Sequence, residues 1–360
     1  MFTEAVRVEH PRELLARETA LRSESGRMRM RDAAKALGLP EAALVEARRA
    51  TGAATRLRRP DISEGFGALI ARLPEAGPLM ALTRNDACVH EKQGTYSRPE
   101  FHGAMGQVLG AIDLRLFLKY WTHGYQLVEE TPRGLRASLQ FFDQSGTAIH
   151  KIYPTEATDD AAFCAIVTDF ADHEAPLASF DPPAAPPEET PDDQIDIPGL
   201  RAAWDNLEHS HAFHGLVRDF GVSRLQALRL GGGDRARPVP AAMARRVLEG
   251  VAARALPIMV FVSNPGCVQI HSGPVEHVET VGPWLNVLDP NFNLHLREDL
   301  IASAWIVRKP STRGDIHSLE LFDRSGDCIC QVFGERLPGQ SERMDWRELI
   351  AGLAAEKPPA

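Results

Sequence analysis

The chain has 360 residues, 44% hydrophobic and 25% charged, an ordinary globular composition but too long for one typical core, so two domains are expected. Its net charge of −9 speaks against bulk affinity for nucleic acid, which needs clustered Lys and Arg, and leaves room for a local basic pocket. The longest apolar run, Ala255 to Val262, is far short of the ~20 residues that span a bilayer, and Met1-Phe2-Thr3-Glu4 carries an acid where a signal peptide is basic, so a cytoplasmic protein without membrane insertion is expected.

Helical signals come first, at Arg12 to Arg22, Arg31 to Leu37, Pro40 to Arg49 and Ile62 to Leu73. Alternating apolar segments broken by Gly, Pro and Asn follow: Leu79 to Thr83, Cys88 to Glu91, Ala104 to Leu109, Leu114 to Trp121, Tyr125 to Glu129, Leu135 to Phe142 and Ala148 to Tyr153. So many strands joined by short turns imply a large antiparallel sheet. A closing helix is expected at Asp160 to Asp172. Residues His173 to Pro198 then carry seven prolines among acids, the composition of an extended linker.

Across that linker the chain repeats itself. Thr131-Pro-Arg-Gly-Leu-Arg-Ala-Ser-Leu-Gln-Phe-Phe-Asp-Gln-Ser-Gly146 aligns with Ser311-Thr-Arg-Gly-Asp-Ile-His-Ser-Leu-Glu-Leu-Phe-Asp-Arg-Ser-Gly326 at an offset of 180, and Asn85 with Cys88 matches Asn264 with Cys267 at 179. Residues 1–172 and 199–360 are therefore two copies of one unit, helices first and strands after, which favours α+β over a βαβ repeat. The second copy closes with a helix at about Ser341 to Leu353. Asp143-Gln-Ser-Gly146 and Asp323-Arg-Ser-Gly326 are hairpin turns in which Gly supplies positive φ, and Arg133 and Arg313 are scaffold in another Gly-bearing turn. His90-Glu91 with His102, and His271 with His277, are strand and turn residues. Five cysteines without a C-x-x-C are small buried hydrophobes, not disulfides or a zinc site. No G-x-G-x-x-G is present, and Gly231-Gly-Gly233 is a loop.

A duplicated scaffold directs attention to what only one copy has. The most asymmetric stretch is Glu208-His-Ser-His-Ala-Phe-His214, three histidines that the first copy lacks, with Met28 opposite His211. At 100° per residue, Leu207, His211 and His214 fall within about 60° of one another on a helix, His209 points away, and Phe213, Leu216, Val217 and Phe220 form the packing stripe. The pattern fits a ligand site or solvent-exposed or core histidines without a ligand; zinc is disfavoured because no nearby Cys or acid completes a tetrahedral set. Gly221 reads as the residue ending this helix, and Ser223-Arg-Leu-Gln226 as a capping box opening the next. A cation at Arg224 in a first helical turn opposes the helix dipole, which points to an anionic partner or to simple exposure.

Leu82-Thr-Arg-Asn85 with Cys88-Val-His-Glu91, Ile112-Asp-Leu-Arg115, Pro132-Arg-Gly134 with Leu139-Gln-Phe-Phe-Asp143, and above all Trp284-Leu-Asn-Val-Leu-Asp-Pro-Asn-Phe-Asn-Leu-His-Leu-Arg-Glu298 with Val307-Arg-Lys-Pro310 resemble the HemS/HmuS/ChuS-type haemin-degrading factors. The resemblance runs through nearly the whole chain. It implies two similar α+β halves with large antiparallel sheets and haem in a cleft between them, in a cytoplasmic bacterial protein of haem uptake and iron acquisition. By position it makes His211 the iron ligand, with His209 and His214 as alternates during transfer. Arg224 and Lys309 match cations near the propionates, Arg115 a distal, catalytic arginine, and Gln331, Phe333 and Arg336 a haem-facing strand. Phe333 stands where relatives often carry Tyr. Phe213 and Phe333 supply apolar walls, and Arg336 a further cation.

The resemblance supports two activities from the same residues: haem degradation with O₂ and an external electron donor, or carriage of haem to a separate oxygenase. A haem-import transporter and a haem oxygenase or reductase are the partners it implies. A haem-free binding module is the third possibility.

Overall fold

The computed structural model describes residues 2–26, 28–59, 65–132, 134–337 and 339–355. The chain forms two compact units: Met1–Arg84, Glu91–Ala185 and Asn264–Gln269 make the first, and Asn85–His90, Pro186–Ser263 and Ile270–Ala360 the second.

In the first unit the helices Pro11–Ser25, Met30–Ala36, Glu41–Arg49, Gly67–Arg72 and Asp160–Phe170 stand close to their expected positions. The 62–64 part of one expected helix, and Arg133, lie outside the described residues. The strands Leu79–Arg84, Ala148–Pro154, Gly134–Phe142, His123–Thr131 and Ala54–Arg56 pair antiparallel in that order. Ala54–Arg56 and Glu100–His102 are short strands that periodicity missed, because three residues carry too little alternation to register. The two faces of the ladder feed different cores. Leu139, Phe141 and Ile152 pack with Leu69, Ile70 and Phe163, whereas Tyr125, Leu127 and Phe142 pack with Ala42 to Val45. Alternation along each strand thus explains why the sheet carries helices on both sides.

The second unit repeats this plan with Ile197–Asp205, Ala212–Asp219, Arg224–Gly231, Met243–Ala253 and Met344–Ala355. Its ladder runs Ile258–Asn264, Cys328–Gly334, Ile316–Phe322, Ser303–Lys309, Ala236–Val239, again antiparallel throughout. One face buries Val260, Leu319 and Val332 against Val247 and Trp346. The other buries Val307 and Phe322 against Trp204, Phe213, Leu216 and Leu228.

The repeated Asn-x-x-Cys turns are exchanged between the copies. Asn264 and Cys267, from the second copy, belong to the first unit, where Asn264 Nδ2 donates to the carbonyls of Arg84 (3.0 Å) and Ile149 (2.8 Å) and its Oδ1 accepts from the Gly266 and Cys267 amides. Asn85 makes the mirror-image set in the second unit, donating to Ser263 (3.2 Å) and Ile329 (2.7 Å). Each asparagine satisfies carbonyls that a buried turn would leave without donors.

The Asp143 and Asp323 hairpins are as expected. Gly146 and Gly326 have φ of +78° and +83°, and each aspartate accepts from the amides two and four residues on. The proline-rich segment is more anchored than its composition implies: Ser179–Phe180 pairs with Val6–Arg7, Phe180 is fully buried, and the helix Ile197–Asp205 starts within it. All five cysteines are free; Cys88, Cys267 and Cys330 are buried as expected, Cys328 is half-buried, and Cys164 is exposed on a helix surface, contrary to expectation. His90 and His271 lie on strands flanking the Phe292 ring, at 5.0 and 3.7 Å.

Candidate functional site

The histidine-rich segment of the second unit is a junction between helices. Ile197–Asp205 is closed by Asn206, whose Nδ2 donates to the Ala202 carbonyl at 2.8 Å. The next helix starts at Ala212 because its first amide is captured by His209, through the carbonyl at 3.0 Å and through Nδ1 at 3.1 Å. The expected single helical face is corrected accordingly: Leu207 is buried ahead of the helix, His209 caps it, His211 sits at its N-cap position, and His214 alone lies within it. All three histidines are exposed. His209 accepts at Nδ1, so that nitrogen carries no proton and only Nε2 remains for another partner.

The end of this helix matches the sequence reading. Gly221 has φ of +62°, its amide donates to Arg218, and the Val222 amide donates to Val217, closing a Schellman motif. Ser223 caps the following helix, its Oγ accepting from the Gln226 amide at 3.0 Å. The capping box is only half built, since the Gln226 side chain turns away to the Thr190 carbonyl and Asp192.

Arg224 opens that helix and has the anionic partner its position calls for, supplied by the chain itself. Its Nε and Nη2 donate to Glu320 Oε2 and Oε1 at 2.6 and 2.8 Å. Lys309 Nζ and Ser318 Oγ also donate to Oε1, at 2.6 and 2.9 Å. Glu320 is fully buried and Lys309 is 2% exposed, whereas a quarter of the Arg224 side chain is open to solvent. Two cations therefore share one carboxylate, a surplus of one positive charge in a largely dry site. Burial pushes the Lys309 ammonium down to about 8 against the attraction of Glu320. Burial would raise the Glu320 carboxyl, but Arg224 and Lys309 outweigh it and hold it well below the usual carboxylate range.

Phe213, in the first turn of the histidine helix, roofs this cluster. Its ring lies 5.0 Å from the Arg224 guanidinium, 4.9 Å from Lys309 Nζ and 4.6 Å edge-on from Trp204. The negative ring face stabilises both cations where water is scarce. The helix that presents His211 is thus seated on the charge cluster by a buried aromatic.

Register explains how the strands complete the arrangement. Gln331 pairs with Glu320 and Phe333 with Ser318, so both share the face of the carboxylate. The Phe333 ring lies 5.7 Å from Lys309 Nζ and 5.2 Å from Phe261, and Gln331 donates to Cys328 Sγ at 3.6 Å. Arg336 does not share the strand as expected: the strand ends at Gly334, and Arg336 follows it, half-buried, with burial lowering its pKa. Arg115 belongs to the first unit, on the strand Asp113–Phe117, where it is ion-paired with Asp113 and donates to the Leu114 carbonyl at 3.0 Å. The structure therefore joins Phe213, Arg224, Lys309, Gln331 and Phe333 in one cluster that also contains Glu320, Ser318 and Trp204. Glu320 was open to discovery in the repeat itself, where it aligns with Gln140 of the first copy between the shared Ser-Leu and Phe-Asp pairs.

Comparison with known proteins agrees with this architecture. The model of the haemin-degrading HemS.ChuX domain matches twice, over residues 38–170 and 221–353. Hemin transport protein HemS of Yersinia enterocolitica is 39% identical over 328 residues, covering 90% of this chain and 92% of that protein. The crystal structure of holo-PhuS, a heme-binding protein from Pseudomonas aeruginosa, superimposes with a TM-score of 0.90 at 44% identity, over 97% of this chain and 99% of that one. The heme-degrading enzyme ChuS of Escherichia coli O157:H7 gives 0.87 at 35% identity, over 95% and 99%. Two copies of the family domain in tandem, across nearly the full length of these relatives, make the chain a member of the haemin-degrading HemS/ChuX family.

Proposed function

We propose that the chain binds haem and degrades it with O₂ and an external electron donor, releasing iron for a bacterial cytoplasm supplied by a haem-import transporter. The observation that carries this reading is the exposed His211 at the start of a helix seated, through Phe213, on a cluster with surplus positive charge. A neutral imidazole is a haem-iron ligand, and a haem propionate is the counter-charge such a cluster lacks. The donor set therefore suits an anionic, planar, iron-bearing ligand, which here is substrate or cargo. Membership beside a heme-binding PhuS and a heme-degrading ChuS supports the same ligand. We assign His211 to the iron, Arg224 to a propionate, with Arg336 as a further cation, Phe213, Gln331 and Phe333 to the walls, and Arg115 to the catalytic part as a cationic donor.

The second reading is a carrier that hands haem to a separate oxygenase. Its support is the presence of His209 and His214 beside His211, all exposed, which offers a relay of imidazoles for transfer. The Soret band of the haem-loaded protein under O₂ and reductant divides the two. Degradation predicts loss of the band with release of iron and a linear tetrapyrrole even with catalase present. Loss only without catalase is peroxide side chemistry and favours the carrier.

A further inference from the structure

The second unit carries a further constellation away from the cluster around Glu320. In the hairpin of Val278–Val281 with Trp284–Asp289, Val278 pairs with Val287, and the open end brings Glu276 and His277 beside Asp289. Among the described residues this is the one set of three His, Cys, Asp or Glu side chains whose ligating atoms all lie within 4.8 Å of one another. Asp289 is its fixed member. The side chain is 10% exposed, Oδ2 accepts from the Glu276 amide at 3.1 Å, and Oδ1 accepts from the His277 amide at 2.9 Å. The His277 imidazole faces the same carboxylate, with Nδ1 at 3.1 Å from Oδ1. The Glu276 carboxylate is exposed and has no hydrogen-bond or ion-pair partner among the described residues, where Asp289 likewise pairs with no Lys or Arg.

The first copy builds the same hairpin without these groups. Its strands Glu100–His102 and Met105–Val108 set Glu100 opposite Gln107, where the second copy sets Glu279 opposite Asn286, an offset of 179 at both positions. The Leu109 amide donates to the Ser97 carbonyl at 3.2 Å, much as Leu288 donates to His277 at 3.0 Å. At that offset Ser97, Arg98 and Gly110 stand at the places of Glu276, His277 and Asp289. The hairpin thus closes with no carboxylate and with a cation in place of the imidazole, so the fold alone does not call for the three ligating groups. Two carboxylates with oxygens this close repel each other, and a divalent cation is the counter-charge they lack.

The distances decide which cation. An ion about 2.1 Å from each of two atoms 3.1 Å apart sees them at an angle of about 95°, the cis angle of an octahedron and short of the tetrahedral geometry of zinc sites. The donors narrow the choice further, because carboxylates suit Mg²⁺, Ca²⁺ and Mn²⁺ whereas imidazole suits Fe²⁺ and later transition ions. We propose that Glu276, His277 and Asp289 form a binding site for a six-coordinate divalent cation of the Mn²⁺ or Fe²⁺ class, with water in the remaining positions. His277 ligates through Nδ1, the cation taking the place of the proton that Nδ1 shares with Asp289, and the two backbone amides hold the carboxylate in position.

The test is a Mn²⁺ titration of the full chain without haem, followed by NMR as paramagnetic broadening of the His277 and Leu288 amide signals. Saturable loss of these signals is expected in wild type. Glu276→Ser/His277→Arg installs the first copy's own residues at two exposed positions and leaves Asp289 with its amides. It should weaken binding roughly tenfold or more, the scale on which even outer partners of metal ligands act. Asp289→Asn should weaken it to a similar degree. With Co²⁺ as the probe, the difference between wild type and the double variant removes any binding at His209, His211 and His214, and should show the weak visible absorption of a six-coordinate ion. Broadening that never saturates, equal binding in the double variant, or the intense absorption of four-coordinate Co²⁺ in that difference would overturn the proposal. Haem is absent from every arm, so these outcomes are independent of the haem reading.

Discussion

The helix that follows Gly38 in one copy and Gly221 in the other opens with Glu41 in the first and Arg224 in the second, and the two residues place different charges on the same scaffold position. In the first unit buried Glu41 is held by Lys151, with Arg84 and Arg31 as further positive charges near it. In the second, Arg224 meets Glu320, which also holds Lys309, so two cations are ion-paired directly with one carboxylate. Both arrangements fix the same helix to the same sheet. Only the second seats two cations on one carboxylate, a surplus that an anionic ligand would offset under the proposed function, and only there does the preceding segment carry exposed histidines.

The sharpest way to break this comparison is to unpair each copy. Lys151→Met takes from buried Glu41 the cation it is hydrogen-bonded to, leaving only the more distant Arg84 and Arg31, and should destabilise the protein by about 3 kcal/mol in denaturant unfolding, while haemin affinity stays as in wild type. Arg224→Met leaves Lys309 to balance Glu320, so its stability cost should be smaller, about 2 kcal/mol, yet haemin affinity should fall. An equal effect on affinity from both would abolish the distinction drawn between the copies.

Acid sensitivity should be lodged in the first unit. Buried His150, held by Thr83 at 2.8 Å and Tyr96 at 2.7 Å, has its pKa pushed down by burial from 6.5 to about 3, whereas the matching position of the second copy is Cys330. The unfolded chain gains this proton below pH 6.5 and the folded chain resists it until about 3, so stability falls as pH drops across that window. The loss at pH 5 should be about 2 kcal/mol from this group, and His150→Gln should flatten the pH dependence of the unfolding midpoint by that amount. An unchanged slope in the variant would contradict a neutral buried imidazole. The smallest effect expected is that of Ser223→Ala, which removes the cap of the Arg224 helix and should cost about 1 kcal/mol in the same assay.

Much of the fold was legible because period and punctuation agree along the chain. Alternating strands, Asp-x-Ser-Gly turns and the offset of 180 fix two α+β copies without reference to tertiary structure. The exchange of the Asn-x-x-Cys turns was not legible, since Asn85 and Asn264 satisfy the same kinds of carbonyl whichever unit receives them. The start of the histidine helix was misplaced because its first amide is capped by an imidazole, outside the usual Ser, Thr, Asp and Asn signals. Arg224 was singled out by its conflict with the helix dipole, but its partner lies 96 residues away on a strand. Only the comparison of Gln140 with Glu320 offered a route to it.

Under the proposed function the second copy holds the ligand iron through His211. Titration of wild type and His211→Ala with haemin, followed at the Soret band, tests it directly. A shifted Soret maximum and at least tenfold weaker binding are expected in the variant, roughly the loss of one iron ligand. An unchanged Soret position and affinity in a folded His211→Ala protein would contradict it.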